Sequence, residues 1–211
     1  MLSAEEAYAL MKKYRVKTVN YGVARNFEEA ELVAENLGFP LVLKIDSPKI
    51  IHKTDVGCVR IVYSRDSFKA GYTEVIRNAR KITKGINGVL MQAFLRGLEA
   101  IAGSAIDEQF GKVLMFGSGG VLTQIFKDVS FRLVPISKED AESMIYDTKM
   151  AQLLNYRGNK IDKGKIVDVL LKLNNLVQNE DIREMDINPL FLNEKGAFAA
   201  DVRVIMGRTS I

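Results

Sequence analysis

The N-terminal part of the chain alternates between segments with helical hydrophobic spacing and short apolar runs. Ser3 and Glu6 have the spacing of a capping box, which predicts a helix over residues 4–13. The segment "FEEAELVAENLG" has apolar side chains on one helical face, and Gly38 predicts its end. The side chains of that face are Ala30, Val33, Ala34 and Leu37. The runs "LVLKI", "CVRIVY" and "GVLMQAF" predict strands, and "SRDSFKAGYTEVIRNARKI" predicts a further helix.

The pattern changes near residues 85–95, where strand-rich sequence begins. "LEAIAGSAI", "KVLMFG" and "VLTQIF" predict strands joined by glycine turns, Ser137 with Asp140 predicts a helix start, and residues 163–177 have helical spacing. "EMDINPLFLN" and "AFAADVRVIM" predict a closing β-hairpin. The chain is therefore predicted to be an α/β or α+β protein with mixed sheets, divided into lobes of residues 1–87 and 88–211.

The amino-acid composition excludes few classes of function. The 211 residues are 47% hydrophobic and 27% charged, which is typical of a globular protein, and the net charge is +4. No basic stretch is interleaved with aromatic residues, so nucleic acid is not the expected partner, whereas a nucleotide is compatible with the mild positive charge. Cys58 is the single cysteine, and no apolar run reaches membrane-spanning length. With an N-terminus unlike a signal peptide, these features predict a soluble, cytoplasmic protein.

Several common catalytic motifs are absent from the sequence. There is no GxxxxGK[ST] phosphate-binding loop, and the glycine cluster "GSGG" at 117–120 is more typical of a turn between strands. One histidine and one cysteine do not suffice for the usual zinc sites. No GxSxG motif accompanies the single histidine, which disfavours a serine-hydrolase triad.

Two constellations on the predicted strands could bind a phosphorylated ligand. Lys44 lies within an apolar strand, where its ammonium group either contacts an anion such as phosphate or extends to the strand edge. In the C-terminal hairpin, Asp186 and Asn188 share one face of a strand, and Asp201 could lie opposite them. Three oxygen ligands suit Mg²⁺, although a solvated hairpin with an Asn-Pro turn is the alternative.

His52 is the only histidine, in the polar stretch "SPKIIHKTDVG". Such a histidine is usually only solvated, but an imidazole can accept a phosphoryl group and pass it on. Gly57 could allow the loop 46–57 to move, and a loop that visits two sites is expected to be polar and weakly packed.

Three segments together resemble one protein family. "LGFPLVLKIDSPKIIHKTDVGCVRI", "FGKVLMFGSGGVLTQIFKDVSFRLVPIS" and "EMDINPLFLNEKGAFAADVRVI" are similar to the β subunit of archaeal ADP-forming acetyl-CoA synthetase. That subunit is the ATP-grasp part of the NDP-forming acyl-CoA synthetase family, which is related to succinyl-CoA synthetase. The resemblance runs in order from about residue 5 to residue 206.

The resemblance implies an ATP-grasp fold in which two α+β lobes close on ATP or ADP with Mg²⁺. It implies the reversible conversion of acyl-CoA, ADP and phosphate into acid, CoA and ATP. A separate CoA-binding α subunit would form the acyl phosphate and carry the phosphoryl group on its own histidine. His52 matches the β-subunit histidine that takes part in the relay, and the resemblance suggests an α2β2 heterotetramer.

The resemblance also assigns roles to individual residues. Lys44 matches a phosphate-contacting lysine, Gln92 lies at the hinge beside the adenosine, and Glu99 matches the acid after the inter-lobe strand. Arg132 is a weaker phosphate-contact candidate, whose alternative is an ion pair with Asp128. The residues that match the metal site are Asn188 and Asp201 as Mg²⁺ ligands, with Asp186 close by.

Four positions depart from the family pattern. They are Cys58 for a glycine, Ala93 for an acid, Leu98 for an arginine and Gln124 for a glutamate. These changes leave two rival interpretations open, a succinyl-CoA-type ligase subunit and a non-catalytic nucleotide-binding or interaction subunit. The acid and the choice between ADP and GDP are not specified by the sequence.

Overall fold

The computed structural model describes residues 1–120 and 128–207, without the side chain of Arg157. The chain forms two compact units. The first unit contains residues 2–6 and 19–95, and the second contains residue 1, residues 7–18 and the chain from Arg96 onward. This division differs from the predicted boundary after residue 87, because the strand that follows Asn87 lies inside the first unit's sheet.

The first unit is a four-stranded antiparallel sheet covered on one face by two helices. Its strands occur in the order β1-β4-β2-β3. Their bounds are β1 Tyr21–Ala24, β2 Leu41–Asp46, β3 Val59–Val62 and β4 Gly88–Ala93. The helices that pack on it are α2 Phe27–Leu37 and α3 Arg65–Arg80.

The core of the first unit follows from the alternation along β2. Leu41, Leu43 and Ile45 are fully buried beneath the two helices. Phe27 and Phe68 stack there with ring centroids 5.6 Å apart. As predicted, α2 ends at Gly38, whose φ of 72° lies in the region that favours glycine.

The second unit is built on a larger antiparallel sheet with the strand order β10-β8-β5-β6-β7, and β9 also pairs with β8. The strands that the structure describes are β5 Leu98–Asp107, β6 Gly111–Ser118, β7 Val129–Leu133, β8 Ile182–Asn193, β9 Gly196–Ala199 and β10 Val202–Met206. The hairpin prediction is confirmed, with the returning strand interrupted at Ala200 and Asp201.

Helices cover one face of this sheet. They are α4 Lys138–Tyr146, the short α5 Met150–Leu153 and α6 Lys163–Asn179, with a 3₁₀ turn at Tyr156–Gly158. The predicted capping box of α4 is present, since Ser137 and Asp140 exchange side-chain to backbone hydrogen bonds. Helix α1, Ala4–Lys13, begins with the predicted capping box between Ser3 and Glu6.

The architecture is α+β, as predicted, but the sheets are not mixed. Among the described residues, every strand ladder is antiparallel, and the one parallel contact is an isolated bridge between Thr18 and Ala199. The predicted strand "VLTQIF" lies outside the described residues. No helix within the described ranges has the length and apolar character needed to cross a membrane.

Candidate functional site

The structure brings Asp186, Asn188 and Asp201 together on one face of the second unit's sheet. Val202 pairs with Ile187 across β10 and β8, and the Asn188 backbone N–H donates to the Asp201 carbonyl at 3.0 Å. Directly opposed residues of an antiparallel pair project to the same side of the sheet. Asn188 and Asp201 therefore face the same side as Asp186, which is the arrangement that the sequence predicted.

An irregularity in β8 keeps these polar groups beside a buried core. The register between β5 and β8 shifts where Asn188 and Pro189 occur, so that both Ile187 and Leu190 point into the core. A regular strand would place residues three apart on opposite faces. The extra residue therefore presents Asn188 to solvent without exposing the apolar side chains that flank it.

The Asp186 carboxyl group has a pKa above its ordinary value. Burial raises the pKa of its carboxyl group, and the neighbouring Asp201 raises it further. Arg203, directly opposite Asp186 in the register, has the opposing effect on that pKa. A cation placed near Asp201 would relieve the repulsion between the two carboxylates.

The donor set fits Mg²⁺. It offers two carboxylates and one amide oxygen on adjacent strands, and Mg²⁺ prefers a few protein oxygens with water and phosphate as its remaining ligands. Within the described ranges, no group of three or more His, Cys, Asp or Glu residues is arranged to bind a metal ion. The candidate site therefore consists of two carboxylates and the Asn188 amide, not of three carboxylates.

Glu99 lies on the same face of the sheet as Asp186. Gly103 pairs with Asp186, and Glu99 precedes Gly103 by four residues of β5, or about 13 Å along the strand. A Cβ atom at Gly120 would lie 2.6 Å from Glu99 Oε2, and one at Gly119 would lie 2.8 Å from the Ala100 carbonyl oxygen. The glycine cluster is therefore more than a turn, because it allows the chain to pass directly against Glu99.

Arg132 lies on the opposite face of this sheet. It pairs with the fully buried Leu114, whereas the next residue of β7, Phe131, is on the side of Asp186. The guanidinium group of Arg132 donates to Asp147 Oδ2 at 2.5 Å and to Ser143 Oγ at 2.8 Å. The structure therefore does not bring Arg132 to the candidate metal face.

The predicted alternative for Arg132, an ion pair with Asp128, is not the one observed. Asp128 instead accepts hydrogen bonds from Ser118 Oγ at 2.5 Å and from the Lys149 backbone N–H at 2.8 Å. The first bond joins the end of β6 to the start of β7, and the second joins the start of β7 to the start of helix α5. Gln124, one of the departures from the family pattern, lies between β6 and β7 but outside the described residues.

In the first unit, Lys44 and Gln92 share the sheet face that is opposite the helices. Lys44 pairs with Leu90, and Gln92 pairs with Val42, so all four side chains project to the same side. Lys44 is only 7% exposed and Gln92 only 2%. A buried ammonium group is costly unless an anion or hydrogen-bond acceptors surround it.

His52 is exposed on the connection between β2 and β3. The ends of this connection are more firmly packed than the sequence predicted. Ile50 is 3% exposed within the first unit's core, and Asn78 Nδ2 donates to the Gly57 carbonyl at 2.9 Å. His52 thus lies on a short exposed stretch between two fixed points, beside Ile51, which is 53% exposed.

Cys58 closes the same connection. Its backbone carbonyl accepts from the Ile45 N–H, and burial raises the pKa of its thiol. The thiol is therefore poorly suited to act as a nucleophile. Cys58 stands where the family pattern has a glycine, and its small side chain is buried in the core of the first unit.

Arg203 and Gly120 are the site features that the sequence did not reveal. Arg203 became visible only through the strand register, which places it opposite Asp186. For Gly120 a signal existed in the "GSGG" cluster, but its neighbour Glu99 is distant in sequence.

Comparisons with known proteins show the family of this chain. A family model described as an ATP-grasp domain matches residues 1–206. The chain is 44% identical over 98% of its length to acetate–CoA ligase [ADP-forming] II of Archaeoglobus fulgidus, of which it spans 30%. It is 40% identical over 95% of its length to the β subunit of acetate–CoA ligase [ADP-forming] I of Pyrococcus furiosus, of which it spans 90%.

Solved structures are similar over nearly the whole chain. An acetyl-coenzyme A synthetase 1 of Ca. Korarchaeum cryptofilum, in complex with coenzyme A and Ca-AMPCP, matches with a TM-score of 0.92 and 40% identity. That match covers 98% of this chain and 93% of the Korarchaeum chain. In another complex of the same protein, with Mg-AMPPCP, a phosphohistidine segment points towards the nucleotide-binding site (TM-score 0.82, 39% identity, 98% and 92% covered).

Proposed function

Because the chain belongs to the ATP-grasp family, and within it to the β subunits of ADP-forming acetate–CoA ligases, we propose that it binds the nucleotide in an ADP-forming acyl-CoA synthetase. Its reaction would convert acyl-CoA, ADP and phosphate into acid, CoA and ATP, together with a CoA-binding α subunit in an α2β2 assembly. The chain spans 30% of the Archaeoglobus relative, in which this part belongs to a longer polypeptide. The buried free thiol of Cys58 is consistent with a reducing, cytoplasmic setting.

The observation that carries this proposal is the grouping of Asp186, Asn188 and Asp201 on one sheet face. Asn188 and Asp201 would hold Mg²⁺, with Asp186 beside them. Bound Mg²⁺ would neutralise charge on the phosphate oxygens during transfer. Glu99, held on the same face against Gly120, would contact the nucleotide away from the phosphates.

The first unit would supply the remaining groups. The buried ammonium of Lys44 would neutralise phosphate charge, and Gln92, on the same sheet face, would bind the nucleotide beside it. Arg132 is not included, because its guanidinium group is bound to Asp147 and Ser143 on the helix-covered face of its sheet.

His52 would carry the phosphoryl group. A neutral imidazole nitrogen of His52 would attack phosphorus as the N–P bond to the partner subunit's histidine breaks. In the second step, a terminal oxygen of ADP would attack the same phosphorus, and the bond to His52 would break, which yields ATP. The exposed position of His52 between fixed points allows a donor to approach from solvent without disturbance of the core.

The proposal is tested by ATP synthesis from acyl-CoA, ADP and phosphate with the cognate α subunit and Mg²⁺. His52→Ala should abolish ATP formation and acid-labile phosphorylation of this chain, while Ile51→Ala, at the exposed neighbour, should retain both. Full activity of His52→Ala would exclude the relay. Tight ADP binding without any turnover by the wild-type pair would instead identify a non-catalytic nucleotide-binding subunit.

A further inference from the structure

Arg203 lies at the centre of the charged groups on the metal face. It is directly opposite Asp186 and diagonal to Glu184 on β8, and Asp201 immediately precedes its strand β10. The Arg203 guanidinium group therefore shares the sheet face with the carboxylates of Asp186 and Glu184. Its Nη2 atom lies 3.4 Å from Glu184 Oε1.

The Nε donor of Arg203 is unusual. Within the described residues, its Nε atom is shielded from solvent and has no hydrogen-bond partner, and it is the one buried side-chain polar atom in that condition. Buried donors are nearly always satisfied, because a missing partner forfeits the hydration that the group had in water. Since solvent does not reach Nε, its acceptor has to come from a neighbouring group.

The register identifies that neighbour. Side chains directly opposed across antiparallel strands have Cβ atoms about 5 Å apart, which is within reach of an arginine and an aspartate. Glu184 already contacts the other end of the guanidinium group. The Asp186 carboxylate, directly opposite in the register, is therefore the candidate acceptor for Nε.

We propose that Arg203 is a positioning residue for the metal–nucleotide site, in which its Nε–H donates to the Asp186 carboxylate when a divalent cation and nucleotide are bound. Arg203 acts through Asp186 and touches neither phosphate nor metal. This inference rests on the proposed function, because it requires a cation held by Asn188 and Asp201.

The test is a calorimetric titration of ADP into the full chain, with Mg²⁺ and with EDTA. Arg203→Met should weaken Mg²⁺-dependent ADP binding about tenfold or more, as expected for loss of a charged hydrogen bond, and should leave binding in EDTA unchanged. Arg203→Lys keeps the charge but lacks the Nε–H, and it should show most of the same loss. Arg183→Met, an exposed arginine of the same strand β8, is the matched control and should bind like wild type.

Equal losses with Mg²⁺ and with EDTA, or full recovery by Arg203→Lys, would overturn the positioning role. Asp201→Asn separates this inference from the proposed function. If Asp201→Asn also leaves Mg²⁺-dependent binding intact, the metal site itself is wrong. If Asp201→Asn abolishes that binding and Arg203→Met does not alter it, only the role of Arg203 is wrong.

A double-mutant cycle keeps the inference testable if Arg203→Met fails to fold. Arg203→Lys and Asp186→Asn should be non-additive, so that the double variant loses no more Mg²⁺-dependent affinity than the more affected single variant. A loss equal to the product of the two single losses would show that the residues act independently, which contradicts the proposal.

Discussion

At the scale of single residues, the position of Glu99 depends on a glycine remote from it in sequence. Gly120 has a φ of 62° and leaves no room for a Cβ atom beside Glu99 Oε2. Gly111, in the same unit, also has a positive φ, of 81°, but nothing lies within 4 Å of its Cβ position. The two glycines therefore share a conformational requirement, and only Gly120 adds a steric one.

Gly120→Ala should weaken ADP binding, whereas Gly111→Ala should not. Both variants should lose about 1 kcal/mol of unfolding free energy, because alanine is disfavoured at positive φ. Only Gly120→Ala should also displace the Glu99 carboxylate. Calorimetry with Mg-ADP and denaturant unfolding measure the two effects, and equal ADP affinity of the two variants would refute the role of Gly120.

At the scale of elements, an ion pair joins the end of helix α1 to the end of helix α6. Glu180 Oε1 accepts hydrogen bonds from Lys13 Nζ and from Tyr14 Oη, each at 2.6 Å. The bond from Lys13, followed by that from Tyr14, lowers the pKa of the Glu180 carboxyl group below its ordinary value of 4.5. A lowered pKa in the folded state means that the ionised carboxylate stabilises the fold.

Glu180→Gln should therefore lower the melting temperature at neutral pH by a few degrees. The stabilisation by Glu180 is complete above pH 4.5, the ordinary glutamate value, and is lost as the pH falls through the lowered pKa. The difference between variant and wild type should shrink over that acidic range. The exposed Glu108→Gln is the control, and a pH-independent difference would show that the carboxylate charge of Glu180 is not the cause.

The elements also show what could be predicted from sequence. Helix starts at Ser3 and Ser137 were predictable, because a capping box lies within four residues of chain. The placement of Asn188 and Asp201 followed from strand alternation and one tight turn. The four-residue strand β1, with Gly22 in it, has too few apolar side chains to be distinguished from a loop.

The sheet face on which Arg132 lies and the position of Arg203 opposite Asp186 could not be predicted. Each depends on the pairing of strands that are far apart in sequence, and a shift of one residue would reverse the faces. Arg132 was a candidate phosphate contact because of its charge, but its pairing with Leu114 places its side chain on the face covered by α4. The burial of Ile50 in the first unit's core could not be predicted either, because the polar residues around it suggested a weakly packed loop.

At the scale of the whole molecule, the N-terminal segment is shared between the two units. Residues 2–6 belong with the first unit, where the Ala4 N–H donates to Asp46, and residues 7–18 belong with the second. In the second unit Tyr8 is 1% exposed, and its hydroxyl donates to the Ala200 carbonyl at 3.0 Å. The second unit thus contains a segment that precedes the whole first sheet in sequence.

Because residues 7–18 belong to the second unit, we predict that a fragment from residue 96 onward will not fold by itself. It would lack the apolar side chains of Tyr8, Met11 and Val16, each at most 3% exposed, and the bridge of Thr18 to Ala199. Addition of a peptide of residues 1–18 should restore a dispersed NMR spectrum. A Tyr8→Ala peptide should not, because truncation of a buried aromatic side chain costs about 3–5 kcal/mol, whereas a peptide altered at the exposed Lys12 should remain effective. A dispersed spectrum without any peptide would show that the second unit is independent of the N-terminal segment.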